Sequence, residues 1–308
     1  MIPNFVFDHI SIGPLNFYTW GFFVGLAFAV GYFLTLYRAK KKNISVQQIL
    51  ILTWVVFFGA ALGSRVAYLL QFPRELLSDI SLLWRYYQGG LMIWGGILGA
   101  ILLGGLYIKI TKLNLPHPNP LLIKERERVR FSFWTLADLF TPAVALGIGI
   151  GRIGCFLIND HIGAPTSLPW GISWPDGISR HPVALYESLV GFALFAIFWW
   201  LYKRIYSSSE SREAGRVEKS NDQFSTARKP AIAGLRFART IREGFIFLSF
   251  LTAYSVIRFF LDFLRASKGI LADPHWWGLT TSQWISLAIF LVAMLFFIRN
   301  KKGERVIS

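Results

Sequence analysis

Residues 244–265 read Gly244-Phe-Ile-Phe-Leu-Ser-Phe-Leu-Thr-Ala-Tyr254-Ser-Val-Ile-Arg258-Phe-Phe-Leu-Asp262-Phe-Leu-Arg265. About 20 predominantly apolar residues are what a helix needs to cross the hydrocarbon core of a bilayer, and this stretch supplies them. It also carries charge near its end. Arg258, Asp262 and Arg265 recur at i, i+4 and i+7, so a helix sets them on one face. An arginine at mid-bilayer costs roughly 2.5–3.5 kcal/mol on insertion scales, and a chain that keeps one there is expected to give it a partner. Asp262 can neutralise one arginine and leave the other for an anion, because guanidinium offers phosphate oxygens a planar fork of donors. Snorkelling to the interface is the competing reading. It suits Arg265, near the end of the span, better than Arg258, which apolar residues flank on both sides.

Six further apolar runs extend the pattern, at 17–36, 48–71, 90–110, 134–151, 183–202 and 281–298. The whole chain agrees with them. Hydrophobic residues make up 54% of it and charged residues 16%, against about 25% charged in a soluble domain. The fold class expected is all-α, a polytopic membrane protein of about seven transmembrane helices. Span 1 has no basic stretch before it and no small-residue cleavage site after it, so it is expected to stay as a helix.

A net charge of +15 raises the question of nucleic acid, but its distribution answers otherwise. Four basic residues fall in 37–47, six in 109–131, ten in 203–243 and four after 298. The alternate segments hold only Arg74 and Arg85, then Arg180, then Lys268. This alternation is the positive-inside pattern. It predicts an outside N-terminus and a cytoplasmic C-terminus, and it assigns the basic charge to topology and anionic headgroups. Cys155 is the only cysteine, which excludes an internal disulfide and a cysteine-based metal cluster. No metal or other cofactor is expected.

The chain reads as one membrane domain. Residues 1–204 hold helices 1–5 with an outside loop at 153–182, and 244–308 hold helices 6–7 and a basic tail. Between them, 205–243 is rich in Ser, Arg, Lys and Glu and is expected to be a flexible cytoplasmic insert, with a short amphipathic helix at 231–242. Trp170, Trp174, Trp276 and Trp277 fall near span ends, where interfacial anchoring accounts for them.

Arg65 and Arg152 join Arg258 and Arg265 as arginines in or beside spans. Arg152 follows Gly147-Ile-Gly-Ile-Gly151, and glycine pairs at 89–90 and 95–96 surround Trp94. Small residues let membrane helices approach closely, and packing explains most such runs. After Arg152 come Asn159-Asp160-His161 and later Arg180-His181-Pro182. A histidine near a carboxylate can act as a general base; hydrogen bonding within the loop is the simpler role. Cys155 stands three residues from Arg152, as a small buried residue or as an activated thiol.

Taken in order, these pieces resemble the prolipoprotein diacylglyceryl transferase family of the bacterial inner membrane. The match runs from Ser11-Ile-Gly-Pro14 and Trp20-Gly21 through Gly63-Ser-Arg65-Val-Ala-Tyr68, the glycine pairs at 89–96 and Asp138…Pro142 to Gly151-Arg152-Ile-Gly154…Gly163…Pro165-Thr166. It continues with Arg180-His181-Pro182…Leu185-Tyr186-Glu187, then Tyr254…Arg258…Asp262…Arg265, and ends at Ser282-Gln283. The resemblance implies transfer of a diacylglyceryl group from phosphatidylglycerol to the lipobox cysteine of a preprolipoprotein signal peptide, forming a thioether and releasing glycerol-1-phosphate. Arg152 and Arg258 would then grip the lipid phosphate, with Arg65 and Arg265 as supporting charges. Asp262 would orient an arginine, Gly163 would shape the loop, and Trp20 and Trp94 would line the lipid site. Trp94 stands where many members carry a histidine, which leaves Asp160, His161 and His181 as local options for a base. Trp20 and Cys155 replace the family's common Tyr and Asn. A diverged member acting on another lipid or acceptor, or a transporter of anionic lipids, are the alternatives.

Overall fold

The computed structural model describes residues 2–13, 15–41, 46–71, 93–111, 114–115, 129–130, 133–160, 162–221, 244–266 and 275–305. Its α-helices are α1 (Thr19–Lys41), α2 (Val46–Gln71), α3 (Ile93–Thr111), α4 (Phe133–Leu157), α5 (Val183–Asn221), α6 (Phe245–Leu261) and α7 (Thr281–Arg305). Each apolar run of the sequence coincides with one of them. Six are long and apolar enough to cross a membrane, and α3 supplies a shorter apolar helix, Gly95–Thr111. The protein is mostly helical and passes the membrane several times. Its outer surface keeps large apolar side chains such as Leu98, Leu102, Leu291 and Leu295 exposed, as expected where lipid rather than water is the solvent.

Helix α5 runs on to Asn221, into the stretch expected to be a flexible insert. Glu, Arg, Lys and Ala between 210 and 219 keep helix propensity high after the apolar residues end. Residues 222–243, with the amphipathic helix expected at 231–242, lie outside the described residues, as does His161.

The chain divides into two compact units, Tyr32–Leu136 and Met1–Gly31 with Ala137–Ser308. In the first, α2 and α3 pack with backbones almost touching. A Cβ at Gly63 would run into Gly95 and Gly99, and one at Gly99 would run into Gly59. Gly95 and Gly99 are therefore packing residues, and Trp94 lies in the first turn of α3, while Gly89 and Gly90 lie outside the described residues. Arg65 is buried on α2 with its guanidinium 5.6 Å from the Tyr68 ring.

In the second unit, Ala145, Leu194, Phe198, Tyr202, Ile246 and Phe250 of α4, α5 and α6 form the core. With no water to expel between lipid-embedded helices, shape fit and polar contacts hold them together. One such contact fixes the start of α6. The carboxylate of buried Asp138 accepts the Gly244 and Phe247 backbone N–H groups, each at 2.8 Å. A side chain of α4 thus satisfies donors that the first turn of any helix leaves unpaired. A second contact is the close approach of α4 and α5. A Cβ on Gly191 would collide with Gly149, and Ser188 Oγ donates to the Gly149 carbonyl at 2.8 Å.

Candidate functional site

That approach of α4 and α5 builds the site. Glu187 precedes Ser188 by one residue, and Arg152 follows Gly149 by three, so the packed glycines set an arginine of one helix beside a carboxylate of the other. Arg152 Nε lies 2.7 Å from Glu187 Oε2, a charge contact off the hydrogen-bond line. Arg258 of α6 reaches the same carboxylate from the other side, its Nη1 donating to Oε1 at 2.5 Å. Glu187, 4% exposed, therefore bridges the two arginines expected to hold phosphate.

The chain of charge continues along α6. Arg258 Nη1 is 3.1 Å from Asp262 Oδ1, and Arg265 Nη1 is 3.5 Å from the same oxygen. Asp262 is buried and occupies the short 3-10 turn Asp262–Leu264 that ends the helix. The three side chains meet, but Asp262 contacts both arginines rather than neutralising one, and Arg265 lies past the helix in extended backbone after the 3-10 turn. Helix α7 closes this face. Ser282 Oγ accepts from Arg258 Nη2 at 3.3 Å, and the Thr280 hydroxyl donates to Asp262 Oδ2. Tyr254, one turn before Arg258, lies against Arg152.

Three guanidinium groups and two carboxylates meet in this network among the described residues. Each guanidinium has five N–H donors, more than the partners of Arg152 and Arg258 occupy. An intramembrane cluster of this kind is costly unless paired; here arginines and carboxylates pair with one another.

The loop that follows α4 locks Arg265 in place. Gly163 bridges to Arg265 as in a β-ladder, Ala164 N–H donates to the Leu264 carbonyl at 2.7 Å, and Ala266 N–H donates to the Ile162 carbonyl at 3.0 Å. On its other edge the same strap accepts the His181 N–H at the Ala164 carbonyl, 3.0 Å. A Cβ on Gly163 would strike the His181 carbonyl, so the expected loop-shaping role has a steric basis.

The sequence candidates separate on this geometry. Arg152, Arg258, Asp262 and Arg265 come together. Trp20 of α1 stands against the Cys155 thiol, and Arg152 Nη1 is 3.9 Å from its sulfur; Phe23 and Trp20 also pack on Gly154. Asp160 is exposed beyond the end of α4. His181 hydrogen-bonds through Nδ1 to Tyr186 Oη at 3.2 Å, and Tyr186 also accepts from Trp170 Nε1 at 2.8 Å. Burial lowers the His181 pKa from its ordinary value, which favours the neutral ring. Arg180 grips Asp176 with two hydrogen bonds, 2.8 and 2.6 Å, and that grip holds the Asp176 carboxyl below its usual range. Glu187, Thr280, Ser282 and Gln283 were absent from the expected site. The signal for Glu187 was present, since it is the only acidic residue in the apolar run 183–202.

The family model for prolipoprotein diacylglyceryl transferase matches residues 8–218 and 231–299. A phosphatidylglycerol–prolipoprotein diacylglyceryl transferase of Bordetella avium (strain 197N) is 30% identical over 96% of this chain and 95% of its own length. Enzymes of the same name from Nitratidesulfovibrio vulgaris (strain DSM 19637 / Miyazaki F) and Finegoldia magna (strain ATCC 29328 / DSM 20472 / WAL 2508) are 29% and 28% identical, each over 95% of this chain and over 92% and 94% of their own lengths.

Proposed function

Because this chain belongs to the prolipoprotein diacylglyceryl transferase family and is a membrane transferase, we propose that it moves a diacylglyceryl group from phosphatidylglycerol to the lipobox cysteine of preprolipoproteins. The observation that carries the reading is the bridge in which one carboxylate, Glu187, is shared by two arginines, Arg152 and Arg258. A phosphodiester lipid brings one negative charge, which two guanidinium groups sharing one carboxylate can receive.

The chemistry follows from where charge grows. The acceptor cysteine attacks as a thiolate, the nucleophilic form of the residue. Its sulfur bonds to the glycerol carbon that carries the phosphate oxygen, and that carbon–oxygen bond breaks. A thioether forms, and glycerol-1-phosphate leaves with its phosphate passing from one negative charge toward two. Arg152 and Arg258 stand ready for that second charge. Fixed donors aimed at charge that develops in the transition state are the strongest catalytic device a site of this kind can use. Glu187 and Asp262 hold the guanidinium groups in place before the lipid arrives, so little reorganisation is needed during reaction.

The distribution of basic residues supports an outside N-terminus and a cytoplasmic C-terminus; on this reading the protein sits in the bacterial inner membrane, with the strap and arginine cluster toward the outer side. Transfer is tested with the purified protein in vesicles of phosphatidylglycerol and a lipobox peptide, reading the peptide mass. A gain of one diacylglyceryl group is expected. An unmodified peptide would overturn the reading.

A further inference from the structure

The first turn of α7 does more than begin a membrane span. Thr280 and Gln283 form a reciprocal cap: Gln283 N–H donates to Thr280 Oγ1 at 3.2 Å, and Thr280 N–H donates to Gln283 Oε1 at 2.9 Å. Such a box satisfies donors that a helix start leaves unpaired. A cap needs only these two bonds, and this one makes two more, one to α6 and one to the turn that ends it. The Thr280 hydroxyl donates to Asp262 Oδ2, and Gln283 Nε2 donates to the Phe259 carbonyl at 3.4 Å. Thr280 and Gln283 are 3% and 2% exposed, so water does not supply these contacts.

The cap is itself anchored. Thr280 ends a hairpin in which His275–Trp276 pairs with Leu279–Thr280 across a turn at Trp277 and Gly278, both with positive φ. Trp284 Nε1 donates to the Trp276 carbonyl at 2.9 Å, tying the hairpin back onto α7. The hydroxyl facing Asp262 is thus fixed from two directions.

Asp262 contacts both Arg258 and Arg265 through Oδ1. A carboxylate held by one oxygen can swing; held through Oδ2 by Thr280, it cannot turn Oδ1 away from the arginines. We propose that Thr280, seated by its cap with Gln283, is a positioning residue of the phosphate site, acting through Asp262 on Arg258 and Arg265. This rests on the transferase reading above.

The test compares the full-length parent with Thr280→Ser, Thr280→Val and Thr280→Asp in phosphatidylglycerol vesicles with a lipobox peptide. Serine keeps the hydroxyl. Valine keeps the shape without it. Aspartate still caps a helix but offers Asp262 no donor, which covers the case in which the valine variant does not fold. A hydrogen bond to a charged group corresponds to a factor of roughly ten to a hundred. The valine and aspartate variants should therefore lose that much in kcat/KM, with KM for phosphatidylglycerol raised and KM for the peptide unchanged, while serine stays near the parent. A purely structural role would lower kcat alone by reducing the amount of folded enzyme. Unchanged KM for phosphatidylglycerol in the valine variant, or serine as impaired as valine, would overturn the proposal. If the parent itself transfers nothing, the transferase reading fails separately. Phosphatidylglycerol binding by native mass spectrometry then decides: weaker binding with valine but not serine supports the positioning role, and equal binding, or none by the parent, ends it.

Discussion

Replacing Glu187 by glutamine removes the charge between Arg152 and Arg258 while keeping the shape of the side chain. The contacts at stake are 2.7 and 2.5 Å long, to a residue 4% exposed. Breaking a buried pair by removing one partner costs about 3–5 kcal/mol, because the remaining charge stays buried and uncompensated. At roughly 2–4 °C per kcal/mol for chains somewhat smaller than this one, Glu187→Gln should lower the thermal midpoint by on the order of 10 °C in detergent. The network also loses a negative charge, since Arg152 and Arg258 no longer share a carboxylate. A phosphate ligand should then restore more stability to the variant than to the parent, because it takes the place of the missing carboxylate. The assay is thermal unfolding of both proteins with and without phosphatidylglycerol, using phosphatidylethanolamine as the zwitterionic control. Equal midpoints for parent and variant, or equal gains from both lipids, would refute the idea that Glu187 balances a phosphate-binding pair.

Two further outcomes follow from the loop. Gly163→Ala should open the strap, because the added Cβ meets the His181 carbonyl. Losing the backbone bonds to Leu264, Ile162 and His181 costs roughly 2–4 kcal/mol at about 1 kcal/mol each, so a lower unfolding midpoint and loss of transfer are expected, and a fully active, equally stable variant would count against the strap. His181 has a pKa lowered by burial, so the unfolded chain binds its proton more readily than the folded one. Its contribution is complete above the unfolded value near pH 6.5 and is lost as pH falls from there toward the folded value, below which no further loss occurs. Midpoints measured from pH 8 to 5 should show that decline, and His181→Gln should flatten it; an unchanged profile would mean another group is responsible.

The spans were legible because each needs an unbroken apolar run, and Arg258, Asp262 and Arg265 were legible because helical spacing alone puts them on one face. What escaped was the part played by two buried acids. Glu187 and Asp138 are single acids in apolar runs, and their partners lie 71 and 106 residues away, a separation that no local period reports. The Trp276–Thr280 hairpin was equally hidden, since two-residue strands have no alternation to read. Helix α5 runs past the apolar run because Glu, Arg, Lys and Ala with high helix propensity follow it and no proline interrupts them before Asn221. Gly95, next to Trp94, packs as expected, yet the consequence of Gly149, that it brings Arg152 to Glu187, required knowing which helix lay opposite.

The central claim is that Arg152 and Arg258 together hold and discharge a lipid phosphate. The most direct measurement is the mass of a lipobox peptide after incubation with parent, Arg152→Ala and Arg258→Ala proteins in phosphatidylglycerol vesicles, each shown to be inserted. The account predicts a diacylglyceryl adduct with the parent and none above background with either variant. Normal turnover by both variants would contradict it.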